Sequence, residues 1–424
     1  MPVASDLLDR GSLIVAQKEP RKNIVTAPDI MSADYESNPW PMLNEIRENH
    51  PITFHEGLNS WLLSRFEDVE KVLTSRTFTT ENYAWQLEPV HGPTILQLEG
   101  TRHRLTRGII TPTLRGRSMR DTFEHVITRN SAGLIDDWRQ DGQVDLVKQF
   151  TQKLPISVIL DVLGLDHDMK PTFHVWYNAI HDYFTNIAGD EEVHQAGLRV
   201  KEELQAYMLP LIAERKENPG DDLISKIVHA EIEGERLSDI EIKSFISFLL
   251  VAGSETTDLQ MANMWLRLIE HPEQLEAVRK DRSLIPAAFA ETLRHTPAVL
   301  MIMRQAGEDT EFHNTTVRAG DLVTLLLAAA NHDPRKYQNP EEFNIFREGV
   351  DPAIELEQYA SHSTFARGRH FCIGSKLAGF EVEISANQLL DAMDDIAFAN
   401  GIAPKQEGNF VRAPRSFPVT FTPR

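Results

Sequence analysis

Cysteine is nearly absent: the chain has 424 residues and one cysteine, Cys372. A lone thiol cannot form an internal disulfide or build a multi-cysteine zinc site. Such scarcity fits a reducing compartment, so a cytoplasmic location is expected. Long apolar runs are missing too. No stretch approaches the roughly 18 apolar residues that span a bilayer, and no membrane span is expected. Residues 1–10 contain no apolar h-region, so no signal peptide is expected. Positive charge is in deficit: 43 basic against 63 acidic residues leave a net charge of −20. That balance opposes general nucleic-acid binding and favours solubility. There is no internal repeat, no low-complexity tract and no G-x-G-x-x-G dinucleotide fingerprint.

What is present is an ordinary globular composition, 41% hydrophobic and 25% charged, enough for a large core. Periodicity predicts helices over 102–110, 119–140, 154–163, 169–188, 191–218, 222–233, 286–295 and 373–393. Short strands are expected at 51–54, 60–63 and 321–327. Residues 75–100 read as a long loop with a short helix, and loops of that length are often functional. The fold class is mainly α with a minor β-sheet region. Residues 1–37 are expected to form an N-terminal arm and 38–424 a single domain.

The longest helix is expected over 238–270. Ser238 and Glu241 form a capping box, and His271-Pro272 stops the pattern. At 1.5 Å per residue the rod would be roughly 45 Å long. Its middle breaks a rule. Ala252-Gly253-Ser254-Glu255-Thr256-Thr257 puts a glycine, a carboxylate and hydroxyls into an apolar helix. Mid-helix glycine costs about 1 kcal/mol relative to alanine. A buried carboxylate costs more unless it is paired or wetted. Local rules broken without visible compensation point to a functional site.

Cys372 lies in F-A-R-G-R-H-F-C-I-G, residues 365–374. Three readings of this thiol stand: an inert buried side chain, a nucleophile, or an axial thiolate ligand to a metal cofactor. Gly368 and Gly374 allow close backbone approach. Arg367, Arg369 and His370 would favour a thiolate.

At these residues the sequence resembles the cytochrome P-450 superfamily. The resemblance implies a haem-ligating loop built from Phe365, Gly368, His370, Cys372 and Gly374, with Cys372 the axial ligand to iron. Ala366 stands where the family usually has glycine. Four further blocks follow the family's order, so that the match covers about 38–424. A-G-x-E-T-T over 252–257 is implied to lie over the haem, with Ala252 and Gly253 beside it and Glu255 and Thr256 managing proton delivery to dioxygen. H-x-x-x-R over 103–107, with Arg304 and His370, is implied to meet the haem propionates through His103 and Arg107. E-x-x-R over 291–294, with Arg347, implies a structural Glu291–Arg294–Arg347 triad. The implied architecture is a single-domain cytochrome P-450 fold with haem between the long central helix and the cysteine loop.

The implied activity is a haem-thiolate monooxygenase. It would use haem b (iron protoporphyrin IX) and O2 to insert one oxygen atom into a small hydrophobic or aromatic substrate, by hydroxylation or oxidative dealkylation. Electrons are expected from a ferredoxin or flavodoxin-type donor with its NAD(P)H reductase. Arg102, Arg104, Arg107, Arg115, Arg117 and Arg120, with Arg367, Arg369 and Lys376 around the cysteine, would form its docking face. The alternatives are a peroxide-driven peroxygenase and a non-catalytic haem sensor or carrier. The resemblance places substrate contacts at Trp85, Ile95, Leu98, Phe184, Phe248, Val251, Ala252, Val299, Met301 and Phe410.

Overall fold

The computed structural model describes residues 27–185 and 190–424. Sixteen α-helices are seen among them. The first half contains α1 (Ala33–Ser37), α2 (Trp40–Asn49), α3 (Phe66–Thr74), α4 (Ala84–His91), α5 (Gly100–Ile110), α6 (Gly116–Asp136), α7 (Leu154–Val162) and α8 (Lys170–Thr185). The second contains α9 (Glu191–Glu217), α10 (Leu223–His229), α11 (Asp239–Ala252), α12 (Glu255–Glu270), α13 (Pro272–Lys280), α14 (Ile285–His295), α15 (Leu327–Asn331) and α16 (Ser375–Ala392). The mainly helical class with small sheets is therefore observed.

Helix starts follow local chemistry. Asp190 accepts from the backbone N–H groups of Glu192 and Val193, and Asp222 accepts from Ser225. Ser238 and Glu241 close the capping box of α11, the Ser238 hydroxyl taking the Glu241 N–H and the Glu241 carboxylate taking the Ser238 N–H.

A five-stranded sheet is made from β1 (Ile52–His55), β2 (Ser60–Leu63), β3 (Phe78–Thr79), β5 (Ile302–Ala306) and β8 (Leu322–Leu325), in the order β1-β2-β8-β5-β3. Only the β2–β8 pair is parallel, in the register Ser60↔Leu322. A three-stranded sheet joins β4 (Gln143–Asp145), β12 (Pro418–Pro423) and β9 (Met393–Phe398). Two small hairpins complete the strands: β6 (Thr310–Phe312) with β7 (Thr315–Val317), and β10 (Gln406–Glu407) with β11 (Ala413–Pro414).

The structure departs from the sequence-based expectations in three places. The rod expected over 238–270 is two helices, α11 and α12, divided at Gly253–Ser254. The Ser254 N–H turns back to the carbonyl of Val251 at 3.3 Å, a tightened turn. The hydroxyls of Thr256 and Thr257 donate to the carbonyls of Ala252 and Gly253 at 2.8 and 3.0 Å. Such back-bonding by threonine bends helices. Pro272 does not merely stop a helix; it occupies the first turn of α13, where its missing N–H is no loss. Finally, the arm expected over 1–37 is not separate at its C-terminal end. Ile30 and Tyr35 are fully buried against Leu43, Ile46, Leu300 and Met301. The rest of that arm, residues 1–26, and the expected helix end at 186–188 lie outside the described residues.

The main core is helical and includes α6, α7, α11, α12 and α16; a smaller core lies beneath the five-stranded sheet. Between them runs a polar tether. The Glu291 carboxylate accepts from Arg294 at 2.9 and 2.7 Å and from Arg347 Nε at 3.1 and 3.2 Å. Glu291 and Arg294 are buried. Arg294 also donates to the carbonyls of Asn331, Pro340 and Glu342. From the same helix, the Leu293 carbonyl accepts from the Thr364 hydroxyl at 2.6 Å, next to Phe365 at the start of the cysteine loop. Removing one partner of a buried, hydrogen-bonded charge pair costs about 3–5 kcal/mol. Arg294→Ala is accordingly expected to destabilise the fold by about that amount, read as a lowered urea midpoint, whereas Arg104→Ala on the exposed face of α5 should leave the midpoint unchanged.

Candidate functional site

The cysteine loop is a closed turn. The Cys372 N–H donates to the Phe365 carbonyl at 2.9 Å, and the Phe371 N–H to the Gly368 carbonyl at 3.1 Å. Gly368 has φ +66°, and a Cβ there would lie 2.8 Å from the backbone oxygen of Leu73 on α3. Glycine is required on both counts. Ala366 also has positive φ, 58°, so the methyl that replaces the family's usual glycine carries strain. A Cβ on Gly374 would sit 4.0 Å from the Cys372 sulfur, which is ordinary contact.

Burial pushes the Cys372 thiol up from its ordinary value, while the N–H groups of Gly374 and Ser375 and the charges of Arg107 and Arg115 pull the other way. The loop's own arginines serve elsewhere, contrary to the sequence-based expectation that they face the thiolate and a partner. Arg367 is buried, stacks over Phe66 and donates to the carbonyls of Ser361 and His362. Arg369 donates to Glu99 and to the carbonyls of Ser75 and Phe78.

The residues expected to meet propionates do converge. The His103 and His370 rings are 4.3 Å apart, centroid to centroid. Arg107 donates to the Phe371 carbonyl at 2.7 Å, just before the cysteine. Arg304 is buried and donates to the Met303 carbonyl, with the Tyr83 hydroxyl beside it. His103 Nε2 is buried without a hydrogen-bond partner. Burial and the neighbouring His370 and Arg107 lower the His103 imidazole to about 4. Buried cationic and donor groups of this kind, left under-satisfied, fit a group that brings two carboxylates of its own.

Glu99, which the sequence reading missed, belongs to this cluster. Burial raises its carboxyl, but His370 at 3.1 Å, Arg369 at 2.8 Å and the Thr80 N–H outweigh that and hold it well below the usual carboxylate range. Its signal in the sequence was its place immediately before α5, where a carboxylate suits a helix N-terminus.

A second cluster of polar groups lies at the break between α11 and α12. A Cβ on Gly253 would meet Ile159 Cδ1 of α7 at 2.9 Å, so the close approach that this glycine permits is to α7. Ala252 and Thr256 are half-buried neighbours, one turn apart. Glu255 and Thr256 do not bond each other: the Thr256 hydroxyl donates to the Ala252 carbonyl, and Glu255 Oε1 lies 2.9 Å from His181 Nε2 on α8. Asp258, one turn further along, is buried and accepts from the Thr151 hydroxyl at 2.6 Å. Burial pushes its carboxyl up to about 7.

The expected substrate contacts divide. Phe184 and Phe248 flank the buried ring of His91, at centroid distances of 5.2 and 5.7 Å. His91 is held by Ser247 at 2.7 Å, and burial drives its imidazole down to about 3, so it is a neutral wall residue; the sequence reading missed it. Leu98, Val299 and Phe410 are half-buried. Ile95, Val251 and Met301 are core residues, and Trp85 is 65% exposed on α4. Trp85 therefore does not line an enclosed pocket, and Met301 packs with Ile30 and Tyr35.

Two substitutions separate the demands on the loop. Gly368→Ala is expected to lower thermal stability by more than about 1 kcal/mol, since both φ and space oppose it, whereas Ala366→Gly should raise stability by up to about 1 kcal/mol by relieving positive-φ strain.

Comparison with known proteins agrees with this geometry. The family model for Cytochrome P450 matches residues 54–414. Pulcherriminic acid synthase of Bacillus subtilis (strain 168) is 34% identical over 394 residues, covering 92% of this chain and 97% of the relative. Cyclomarin C epoxidase CymV of Salinispora arenicola is 28% identical over 387 residues, with coverage of 89% and 95%. Among solved structures, P450BioI in complex with hexadec-9Z-enoic acid ligated acyl carrier protein superposes with a TM-score of 0.82 at 27% identity, covering 92% of this chain and all of that one. A lone cysteine in a closed loop, a polar break between α11 and α12 and a match along nearly the whole chain belong to a haem-iron monooxygenase: the chain is a member of the cytochrome P450 family.

Proposed function

We propose that this oxidoreductase holds haem b (iron protoporphyrin IX) through the Cys372 thiolate and uses O2 to add one oxygen atom to a small apolar biosynthetic intermediate. The observation that carries the reading is Cys372 itself, in a loop whose amides and nearby guanidiniums favour the thiolate against the cost of burial. When bound, a thiolate-ligated haem supplies activation of dioxygen.

The chain's own residues do the rest. His103, Arg107, Arg304 and His370 would anchor the two propionates, and Glu99 orients His370 and Arg369 around them. Phe184, His91 and Phe248 offer an aromatic wall to an apolar molecule and exclude water from it. Glu255 and the Thr256 hydroxyl sit at the helix break, where a carboxylate and a hydroxyl can pass protons towards dioxygen. In the geometry described, the hydroxyl proton is held on the Ala252 carbonyl, so a turn of Thr256 about χ1 is needed to release it. The Glu291–Arg294–Arg347 set would act through packing, keeping α14 fixed under the cysteine loop. The substrate class rests on the apolar wall and on relatives named for pulcherriminic acid synthesis and cyclomarin C epoxidation.

Electrons would come from a ferredoxin or flavodoxin-type carrier served by an NAD(P)H reductase. Much of the basic surface expected to receive it is already ion-paired within the chain. Arg102 pairs with Glu241, Arg104 with Glu233, and Arg115 and Lys376 with Glu357. The docking field is correspondingly weak.

Reduction of the haem by such a carrier is expected to slow only about three- to tenfold between about 0.05 and 0.5 M salt; no change in stopped-flow rate would remove electrostatic docking. Thr256→Ala is expected to leave the reduced carbon monoxide spectrum intact while diverting reducing equivalents to hydrogen peroxide or water, and unchanged product yield would exclude the hydroxyl from proton delivery. Cys372→Ser tests the reading as a whole: the thiolate signature of that same spectrum should vanish.

A further inference from the structure

The Thr256 hydroxyl is engaged by the Ala252 carbonyl and not by its neighbour Glu255. Glu255 Oε1 instead lies at ion-pair distance, 2.9 Å, from Nε2 of His181 on helix α8. The Glu255 side chain is 14% exposed and that of His181 23%, so the histidine is the more open of the two. A polar file therefore runs inward from His181 to Glu255 and on to the break between α11 and α12, where Thr256 stands.

Every element packed around the file contributes charge or a titratable group. On α8, Asp182 Oδ1 lies 3.4 Å from His181 Nδ1, and the Tyr177 ring centroid lies 6.3 Å from the imidazole one turn earlier. On α12, Asp258 follows Glu255 by one turn and is bonded to Thr151, which ends the segment between β4 and α7. From the chain between β11 and β12, Arg415 acts as a positive charge on His181, Tyr177 and Asp258. Among the described residues, the carboxylates of Glu255 and Asp182 against the guanidinium of Arg415 leave the imidazole in an acidic neighbourhood, which suits its protonated form.

We propose that His181 is a positioning residue for proton delivery: it holds the Glu255 carboxylate at the helix break and connects it to solvent. The inference rests on the reading of Glu255 and Thr256 as the proton-handling pair. In each transfer the His181 Nε2–H bond breaks as the Glu255 Oε1–H bond forms; Glu255 passes that proton on towards Thr256, and the neutral ring takes its replacement from a hydronium ion of bulk solvent, leaving water.

The sign of the pH dependence follows from the contacts. The Glu255 contact raises His181 above the ordinary imidazole value, with Asp182 helping and burial and Arg415 opposing. The charged clasp is therefore present at low pH and is lost as pH rises through that raised value. Above it the ring is neutral, and Glu255 loses its partner.

The test uses the haem-loaded protein with NADPH, a plant-type ferredoxin and its reductase as electron source, without added substrate. NADPH consumption by the wild type is expected to fall as pH rises from about 6.5 to about 9. His181→Ala should consume NADPH roughly tenfold more slowly at about pH 6.5, with a larger solvent deuterium effect, and should match the wild type near pH 9. His181→Lys, which restores a cation, should recover most of the rate, whereas a purely structural role for the ring would not be rescued by charge. A second readout does not depend on turnover. In 13C-histidine-labelled holoprotein, the His181 resonance, identified by its loss in His181→Ala, should titrate above about 6.5 and drop in Glu255→Gln. A wild-type pH profile in His181→Ala alongside an altered one in Glu255→Gln would overturn the role of His181. So would a His181 titration that ignores Glu255→Gln. Wild-type profiles in both variants would overturn the proton-handling pair as well.

Discussion

A buried carboxylate sits at a junction of this fold. Glu291 is buried on α14, and an ionised carboxylate there is tolerable because Arg294, Arg347 and the Asn344 N–H all donate to it. Meeting that demand fixes more than the pair. Arg294 also donates to three carbonyls of two further segments, Asn331 in one and Pro340 and Glu342 in the other. The helix so anchored presents Leu293 to Thr364, and Thr364 opens the loop that carries Cys372. The position of the sulfur is thus tied, through a few short contacts, to a buried charge far along the chain.

The distal side solves the opposite problem. There the chain must place polar groups inside an apolar helix without leaving backbone groups stranded. It does so by ending one helix and beginning another at Gly253–Ser254, and by using the hydroxyls of Thr256 and Thr257 to cover the exposed carbonyls. The same two residues that look destabilising in a list of helix propensities are what let the backbone bend. Gly253 has a further task, since α7 packs so closely that Ile159 occupies the space a side chain would need.

Electrostatics divides the molecule in a way that the net charge conceals. Basic side chains on α5 and around the cysteine loop are mostly consumed by local acids such as Glu99, Glu233, Glu241 and Glu357. Inside, His103 Nε2 is buried without a hydrogen-bond partner and Arg304 is buried with its charge, which suits a group that brings negative charge of its own. Near the helix break, by contrast, His181, Glu255 and the buried Asp258 cluster.

The sequence by itself determined a great deal. Residue type and spacing marked the polar break and most helix positions, because capping and helical periodicity act within a few residues, while the cysteine loop and the E-x-x-R pair took their meaning from the family resemblance. Tertiary structure alone decided which partners those residues take. Arg367 and Arg369 lie beside Cys372 in sequence yet bond elsewhere, while Arg107 and Arg115, more than 250 positions away, act on the sulfur. His91, Glu99 and His181 carry no local motif; their roles come from rings and carboxylates brought together by packing of separate helices and loops. The reason is physical: local rules set backbone conformation within one or two turns, whereas ion pairs and ring contacts depend on distances that only the packed chain fixes.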